Sequence, residues 1–422
     1  MMTIPFNHAH NGFPSNKTKQ SVTKTNNIFL IGIAFLLLYG PIRDLINVLS
    51  LMLFGSYNQV ISSILQVITM VVFACSLIIV FLKKYKFLIT TFVIFALVWT
   101  LSYYCNKDAQ PYILNGISLF FFECLPFLWV FYYIFSQKNE FITYEFIKSF
   151  FKVNNIKLLI VIISQSFMFI FPQCDIYRDY MSASYTLLNP LILVLASYFC
   201  GDKRIRNIVS ALIASLYIII LGCRGALVCE LFFLTGFFVF FVKKNKSFYR
   251  VSLIFIALLM LLLIQPLADV LVIFGLNSRS IEGIRNFQFF KDENRSIIFE
   301  IISLKTFQNP FGLGVMADRP ILLSSSQLWQ IFYSHNLFLE LGIDFGVFGY
   351  LLFVIFIMLV VNAIKKGSYI MKIVVWSLFC MSVVKLMYSS TLWADQYLWA
   401  LLGSAYAIVN NKRRKSTCQN LA

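Results

Sequence analysis

Residues 346–361 read GVFGYLLFVIFIMLVV, an uncharged apolar run that is followed by Lys365 and Lys366. A helix needs about 20 such residues to cross the roughly 30 Å hydrocarbon core of a bilayer. Comparable runs recur along all 422 residues, of which 59% are hydrophobic and 17% aromatic. The sequence therefore predicts an all-α polytopic membrane protein, because no soluble surface could accommodate this composition.

The apolar runs predict about twelve transmembrane helices and one large extracytoplasmic loop between spans nine and ten. The predicted spans cover residues 28–52, 59–82, 87–104, 113–136, 156–172, 184–200, 206–222, 225–242, 251–275, 335–361, 370–390 and 393–410. In this organisation residues 1–27 form an N-terminal tail, 28–275 hold spans one to nine, 276–334 form the loop, 335–410 hold spans ten to twelve, and 411–422 form a C-terminal tail.

Basic residues cluster between alternate spans, as in Lys83-Lys84, Lys203 to Arg206 and Lys412 to Lys415. Because Lys and Arg resist translocation, these loops and both termini are predicted to be cytoplasmic. The net charge of +17 is explained by these basic loops, which set the topology of the chain. We therefore do not expect nucleic acid as a partner.

The predicted outer loop, residues 276–334, breaks the charge rule, which long loops are free to do. Its length makes it a natural place for function. Within it, residues 292–307 have the apolar spacing of an amphipathic helix, with Arg295 near the N-terminal end. Asn309-Pro310 and the glycines Gly312 and Gly314 then predict a helix stop and a turn.

Two polar residues stand out on the predicted outer face. His335 opens span ten within Tyr333-Ser334-His335-Asn336, where it is either an interfacial or helix-capping side chain or a general base with a pKa suited to neutral pH. Arg224 is the only charge in the short turn Leu221-Gly222-Cys223-Arg224-Gly225. It either extends to the lipid headgroups or binds a ligand that the flanking glycines allow to approach.

The loop arginines Arg279, Arg285 and Arg295 suit a diphosphate, because guanidinium groups make paired hydrogen bonds to phosphate oxygens. Contact with lipid phosphates is the competing explanation. The chain has no Walker A sequence, no glycine-rich dinucleotide loop, no HExxH and no CxxC among its nine cysteines. Neither a cofactor nor a metal site is therefore predicted.

Four short motifs follow one another in a characteristic order: Cys223-Arg224-Gly225-Ala226, Arg295 opening a helix, Asn309-Pro310-Phe311-Gly312-Leu313-Gly314, and His335-Asn336. This order resembles the O-antigen ligase and polymerase superfamily, which includes the Wzy-type repeat-unit polymerases. The resemblance covers residues 221–349. Cys223 departs from the family pattern, which often has serine there, but the arginine that follows is retained.

The resemblance implies a membrane glycosyltransferase of the bacterial inner membrane. Arg224 and Arg295 would bind the diphosphate of an undecaprenyl-diphosphate-linked glycan, and His335 would accept a proton from the acceptor sugar. The substrate-binding candidates are Arg279, Arg285, Arg319 and Asn336. The expected partners are a lipid-linked glycan donor and acceptor, membrane lipid, and a chain-length regulator and flippase of the same pathway.

The leading hypothesis is a polymerase that moves a growing glycan onto the next lipid-linked repeat unit. A ligase that transfers finished glycan to lipid A core carries the same motifs. A flippase is the alternative from another class, and Glu123, Glu230 and Lys385 inside predicted spans would be its transport residues or simple helix-pairing residues.

Overall fold

The computed structural model describes residues 16–54, 59–170, 180–241, 293–325 and 333–411, together with 269, 272–273, 281 and 285. Over these residues the chain is helical and no β-strand occurs. Six of the described helices are long and apolar enough to cross a membrane, and three further apolar helices are shorter. The prediction of an all-α polytopic membrane protein is confirmed. Most of predicted span nine, residues 251–275, lies outside the described residues.

The described helices are α1 (Asn16–Phe54), α2 (Gln59–Cys105), α3 (Gln110–Leu119), α4 (Leu125–Phe135), α5 (Glu140–Ile170), α6 (Tyr180–Phe199), α7 (Ile205–Leu221), α8 (Arg224–Phe241), α9 (Glu293–Gln308), α10 (Asp318–Leu323), α11 (Leu337–Phe345), α12 (Val347–Lys366), α13 (Tyr369–Phe379) and α14 (Gln396–Asn410). A π-helical turn, Phe120–Cys124, joins α3 to α4, and another, Cys380–Val384, follows α13. A short 3₁₀ turn, Leu392–Ala394, precedes α14.

Three predicted spans, numbers two, three and ten, have boundaries that differ from the helices. Predicted spans two and three are parts of α2, which bends at Lys84, where φ and ψ are −137° and 28°. Predicted span ten is divided into α11 and α12 at Gly346, whose φ of 61° is not helical. Glycine adopts this left-handed region without the steric penalty of a Cβ atom, so the helix can end and restart within one residue.

The chain divides into two compact units. The first comprises the described parts of Met1–Lys83, Gln137–Asp179 and Asn189–Ser215, in which α1 packs along α5. The second comprises the described parts of Lys84–Ser136, Tyr180–Leu188 and Leu216–Ala422, in which α14 packs along α4. All candidate site residues that the structure describes belong to the second unit.

Aromatic rings fill the core of the second unit. The Trp99 ring lies 5.4 Å from Phe120 and 5.5 Å from Trp393, measured between centroids, and Phe120 lies 5.1 Å from Trp399. The indole of Trp399 also donates a hydrogen bond of 2.9 Å to the carbonyl oxygen of Leu392. These contacts hold the 3₁₀ turn before α14 against α2 and the π turn after α3.

Charged residues inside the second unit have partners. Lys385 forms a buried ion pair with Asp395, whose Oδ1 also accepts a hydrogen bond of 2.9 Å from the backbone N–H of Leu398. Glu123 accepts a hydrogen bond of 2.9 Å from the side chain of Gln396. Because unpaired charges are costly in an apolar interior, these pairs account for Lys385 and Glu123 as helix-pairing residues.

The predicted amphipathic helix is confirmed as α9, which ends at Gln308 directly before Asn309-Pro310. Ile298 and Ile302 are completely buried, while Leu304 on the other side is exposed. The buried face forms one apolar cluster with residues of α10 and α11, including Leu322 and Ile343. The spacing of apolar residues in α9 thus determines which face of the helix packs against α10 and α11, the two helices on either side of His335 in the sequence.

Candidate functional site

The Arg224 turn is built by a close approach of three helices. The backbone N–H of Gly222 closes α7 with hydrogen bonds of 3.2 and 3.1 Å to the carbonyl oxygens of Ile218 and Ile219, and α8 begins at Arg224. A methyl group on Gly225 would collide with the hydroxyl of Tyr185 and come within 3.0 Å of Cβ of Tyr388. Space therefore favours glycine here, and the backbone next to Arg224 lies close to two tyrosines.

Arg295 reaches one of these tyrosines, Tyr388, from α9. Its guanidinium carbon lies 5.9 Å from the centroid of the Tyr388 ring, within the range of a cation–π contact. Tyr388 is also the residue whose Cβ lies 3.0 Å from the position that a methyl group on Gly225 would occupy. The structure thus brings Arg295 and the Arg224 turn together, although a long stretch of chain separates them.

His335 is held next to a third tyrosine. Its ring centroid lies 4.0 Å from that of Tyr333, and the Tyr333 hydroxyl lies 3.4 Å from Oγ of Ser389. Ser389 directly follows Tyr388, so a continuous set of contacts leads from His335 to the tyrosine beside Arg295. His335 itself has a φ of 52°, an unusual conformation for a residue with a side chain.

Two predicted substrate-binding residues lie close to His335. The side chain of Asn336 caps α11 by accepting hydrogen bonds of 2.9 and 3.2 Å from the backbone N–H groups of Phe338 and Leu339. Arg319 is buried, with its guanidinium carbon 5.1 Å from the centroid of the Tyr333 ring. Both residues therefore shape the segment that carries His335.

Of the two remaining loop arginines, the structure describes Arg285. Arg285 is exposed, and its Nε lies 2.8 Å from Oδ1 of Asp269. Arg279 lies outside the described residues.

The turn after α9, residues 309–314, fastens that helix to the junction of α11 and α12. Leu313 N–H donates to the carbonyl oxygen of Ile343 at 2.8 Å, and Gly314 N–H donates to that of Asp344 at 2.9 Å. The carbonyl oxygen of Pro310 accepts from Val347 N–H at 2.9 Å and occupies the space that a Cβ atom on Gly346 would need. These hydrogen bonds attach the C-terminal end of α9, the helix of Arg295, to the C-terminal end of α11, the helix that follows His335.

An open cavity of about 1400 Å³ lies beside this turn. Its lining includes Tyr104 and Lys107 from the α2–α3 connection, Lys305 from α9, and Phe311 and Gly314 from the turn. The α2–α3 connection is joined to the turn by a hydrogen bond of 3.1 Å from the Asn106 side chain to the carbonyl oxygen of Leu313. A mixture of aromatic and polar groups of this kind can accommodate a polyhydroxylated ligand.

Sequence reasoning did not select Tyr185 and Tyr388, which lie against the Arg224 turn, or Asp318, which contacts Arg319. Tyrosines are common in membrane proteins near the interface, so no local signal separates these two from the other tyrosines. Asp318 adjoins Arg319 in the sequence, but only the folded chain shows that its carboxylate contacts the segment that carries His335.

The arrangement offers cationic groups for an anionic ligand and an imidazole for proton transfer. Two guanidinium groups from separate elements are the preferred donors for a phosphate or diphosphate. Among the described residues, no group of three or more His, Cys, Asp or Glu side chains is arranged to hold a metal ion.

Residues 209–354 match the family model of the O-antigen ligase domain. Arg224, Arg295, Arg319, His335 and Asn336 all fall within this match, which spans roughly a third of the chain. No curated protein and no solved structure matches the chain significantly. The match covers the four motifs and supports the resemblance to the O-antigen ligase and polymerase superfamily that they indicated. Over residues 209–354, this multi-pass membrane protein is similar to the O-antigen ligase and polymerase superfamily, whose members are membrane enzymes that act on glycans.

Proposed function

We propose that this chain polymerises oligosaccharide repeat units that are linked to undecaprenyl diphosphate. The growing glycan is transferred from its lipid carrier to a hydroxyl of the next lipid-linked repeat unit. The observation that carries this proposal is the convergence of Arg295, the Arg224 turn and His335 around Tyr185, Tyr333 and Tyr388. A diphosphate site next to an imidazole is what such a transfer requires.

In the proposed reaction, the bond between the anomeric carbon of the donor glycan and its diphosphate breaks. The acceptor hydroxyl forms the new glycosidic bond, and undecaprenyl diphosphate leaves with the electron pair. Arg224 and Arg295 stabilise the negative charge that develops on the leaving diphosphate. His335 accepts the proton of the attacking hydroxyl and thereby increases its nucleophilicity.

Two lipid-linked substrates have to bind at once in this reaction. We assign the donor diphosphate to Arg224 and Arg295, and we keep Arg279 and Arg285 as candidates for the acceptor diphosphate. Arg319 and Asn336 act on the segment that carries His335. The cavity beside the turn at residues 309–314 offers space for the sugars of a repeat unit.

The proposal places the site on the outer face of the bacterial inner membrane, with both termini in the cytoplasm. The support is the charge pattern: the loops rich in Lys and Arg alternate with loops that are nearly free of them. In this orientation the Arg224 turn, the α2–α3 connection and the segment before α11 share the outer side. A chain-length regulator and a flippase would act with it in the same pathway.

The test uses cells that lack the native protein and are complemented with the wild type or with Arg224→Ala, Arg295→Ala or His335→Ala at matched membrane levels. We expect a ladder of glycan lengths on a gel with the wild type and a single repeat unit with each variant, a loss of at least about 100-fold in longer products. Arg204→Ala is the control, because Arg204 is an exposed arginine paired with Asp202 in the other unit. A full ladder from the three site variants would overturn the proposal.

The family description itself favours a second candidate, a ligase that transfers finished glycan to lipid A core. The two reactions share the donor and differ in the acceptor. Membranes that contain the wild-type chain are therefore supplied with purified lipid-linked repeat unit alone. A ladder that forms under these conditions supports the polymerase, whereas product that appears only after lipid A core is added identifies the ligase.

A further inference from the structure

We infer that Asp318 is a positioning residue that holds the His335 segment in its working conformation. The inference rests on the proposed role of His335 in glycan transfer. The Asp318 carboxylate accepts a hydrogen bond from the backbone of Ser334, the residue before His335.

Asp318 is completely buried at the start of α10. Its Oδ2 accepts a hydrogen bond of 2.7 Å from the backbone N–H of Ser334, which is itself buried. Its Oδ1 lies 3.5 Å from Nε of Arg319, the residue whose guanidinium faces the Tyr333 ring. The Asp318 carboxylate therefore contacts the backbone on the N-terminal side of His335. It also contacts Arg319, which packs against the Tyr333 ring beside His335.

The backbone of His335 explains why such support is needed. A residue with a side chain is disfavoured at a φ of 52°, and it stays there only when its surroundings fix it. On the C-terminal side, Asn336 has an extended backbone and caps α11. On the N-terminal side, the fixed point is the hydrogen bond from Ser334 to Asp318. Without that bond, His335 can relax towards an ordinary conformation and move its imidazole.

A second buried carboxylate nearby shows that this contact is specific to Asp318. Glu340 on α11 accepts hydrogen bonds from the backbone N–H of Leu392, at 2.9 Å, and from the Thr391 hydroxyl. It therefore supports the segment before α14, whereas Asp318 supports the segment before α11. Burial of a carboxylate alone does not distinguish the two residues, but their hydrogen-bond partners do.

The test measures polymerisation in membranes that contain Asp318→Ala or Asp318→Asn, supplied with lipid-linked repeat unit and normalised to folded protein by size-exclusion chromatography. We expect Asp318→Ala to lower kcat by about 10- to 100-fold with little change in KM, because the displaced base acts in the transition state. Asp318→Asn keeps an oxygen that accepts from Ser334 and should recover most of kcat. Glu300→Ala, which removes an exposed carboxylate from α9, is the control and should leave kcat unchanged.

A double-variant experiment separates positioning from general stability. When His335 is already alanine, Asp318→Ala should reduce the residual rate by less than about twofold, since residues that act as a unit are not additive. An equal further loss in that background, or no recovery with Asp318→Asn, would show a structural role only and overturn the inference. Where His335→Ala leaves no measurable product, the kcat and KM values of Asp318→Ala and Asp318→Asn alone decide whether the inference stands.

The outcomes also distinguish this inference from the proposed function. If His335→Ala polymerises as well as the wild type, the proposed role of His335 fails and the inference fails with it. If His335→Ala is inactive while Asp318→Ala is fully active, only the inference is wrong.

Discussion

At the scale of single residues, the site depends on how closely the backbone of α8 approaches Tyr185 and Tyr388. Gly225 has no side chain, and this allows the Tyr185 hydroxyl and the Cβ of Tyr388 to lie directly against the first turn of α8. Arg224 directly precedes Gly225, so this close approach also restricts the backbone position of Arg224. The close approach of Tyr185 and Tyr388 to the residue that follows Arg224 thus depends on the absence of one methyl group.

We expect Gly225→Ala to reduce glycan polymerisation by about 10- to 100-fold, because the added Cβ must displace the Tyr185 hydroxyl and shift Arg224. The measurement is the rate of ladder formation in membranes at matched protein levels. Gly40→Ala is the matched control, since a Cβ at Gly40 in α1 meets nothing within 4 Å. Equal rates for the two variants would mean that the approach of Tyr185 to α8 does not affect the site.

At the scale of secondary-structure elements, α9 connects the arginine site to the histidine segment. Its buried face packs on α10 and α11, and its C-terminal turn binds the α11–α12 junction. Because Arg295 is near the N-terminus of α9 and His335 lies two residues before α11, the packing between these helices affects the distance between the two residues. This packing depends on the volumes of the buried side chains, because protein interiors are close-packed.

Ile302→Ala should destabilise this part of the protein by about 2–5 kcal/mol, because it leaves a cavity in the cluster shared with α10 and α11. Leu304→Ala should change stability by less than about 0.5 kcal/mol, because Leu304 is exposed on the same helix. Thermal unfolding of the detergent-purified variants, followed by size-exclusion chromatography, compares the two. A larger loss for Leu304→Ala would mean that the other face of α9 is the buried one.

The α11–α12 junction shows where sequence reasoning about elements was incomplete. Hydropathy predicted one span over residues 335–361, because both helices are apolar. The structure breaks the span at Gly346, where the carbonyl oxygen of Pro310 packs against the backbone. The break depends on a contact with a residue of a different element, so hydropathy could not reveal it.

At the scale of the whole molecule, the distribution of basic residues predicts how the chain crosses the membrane. Cys105 ends α2 on the predicted outer side, and Cys200 follows α6 on the predicted inner side. We expect a variant that keeps only Cys105 to react with a membrane-impermeant maleimide in intact spheroplasts. A variant that keeps only Cys200 should react only after the membrane is permeabilised. The reverse pattern would invert the orientation and place the proposed site in the cytoplasm.

The sequence by itself determined the helical membrane fold, the extent of α9 and the stop that follows it, because these depend on local composition and spacing. It also selected Arg224, Arg295 and His335, since their motifs lie in short segments. Only the tertiary structure decided that these residues converge, since the contacts run through Tyr185, Tyr388 and Asp318, which no local pattern marks. The physical reason is that hydropathy reports which side chains leave water, whereas packing and hydrogen bonding between distant segments decide which of them meet.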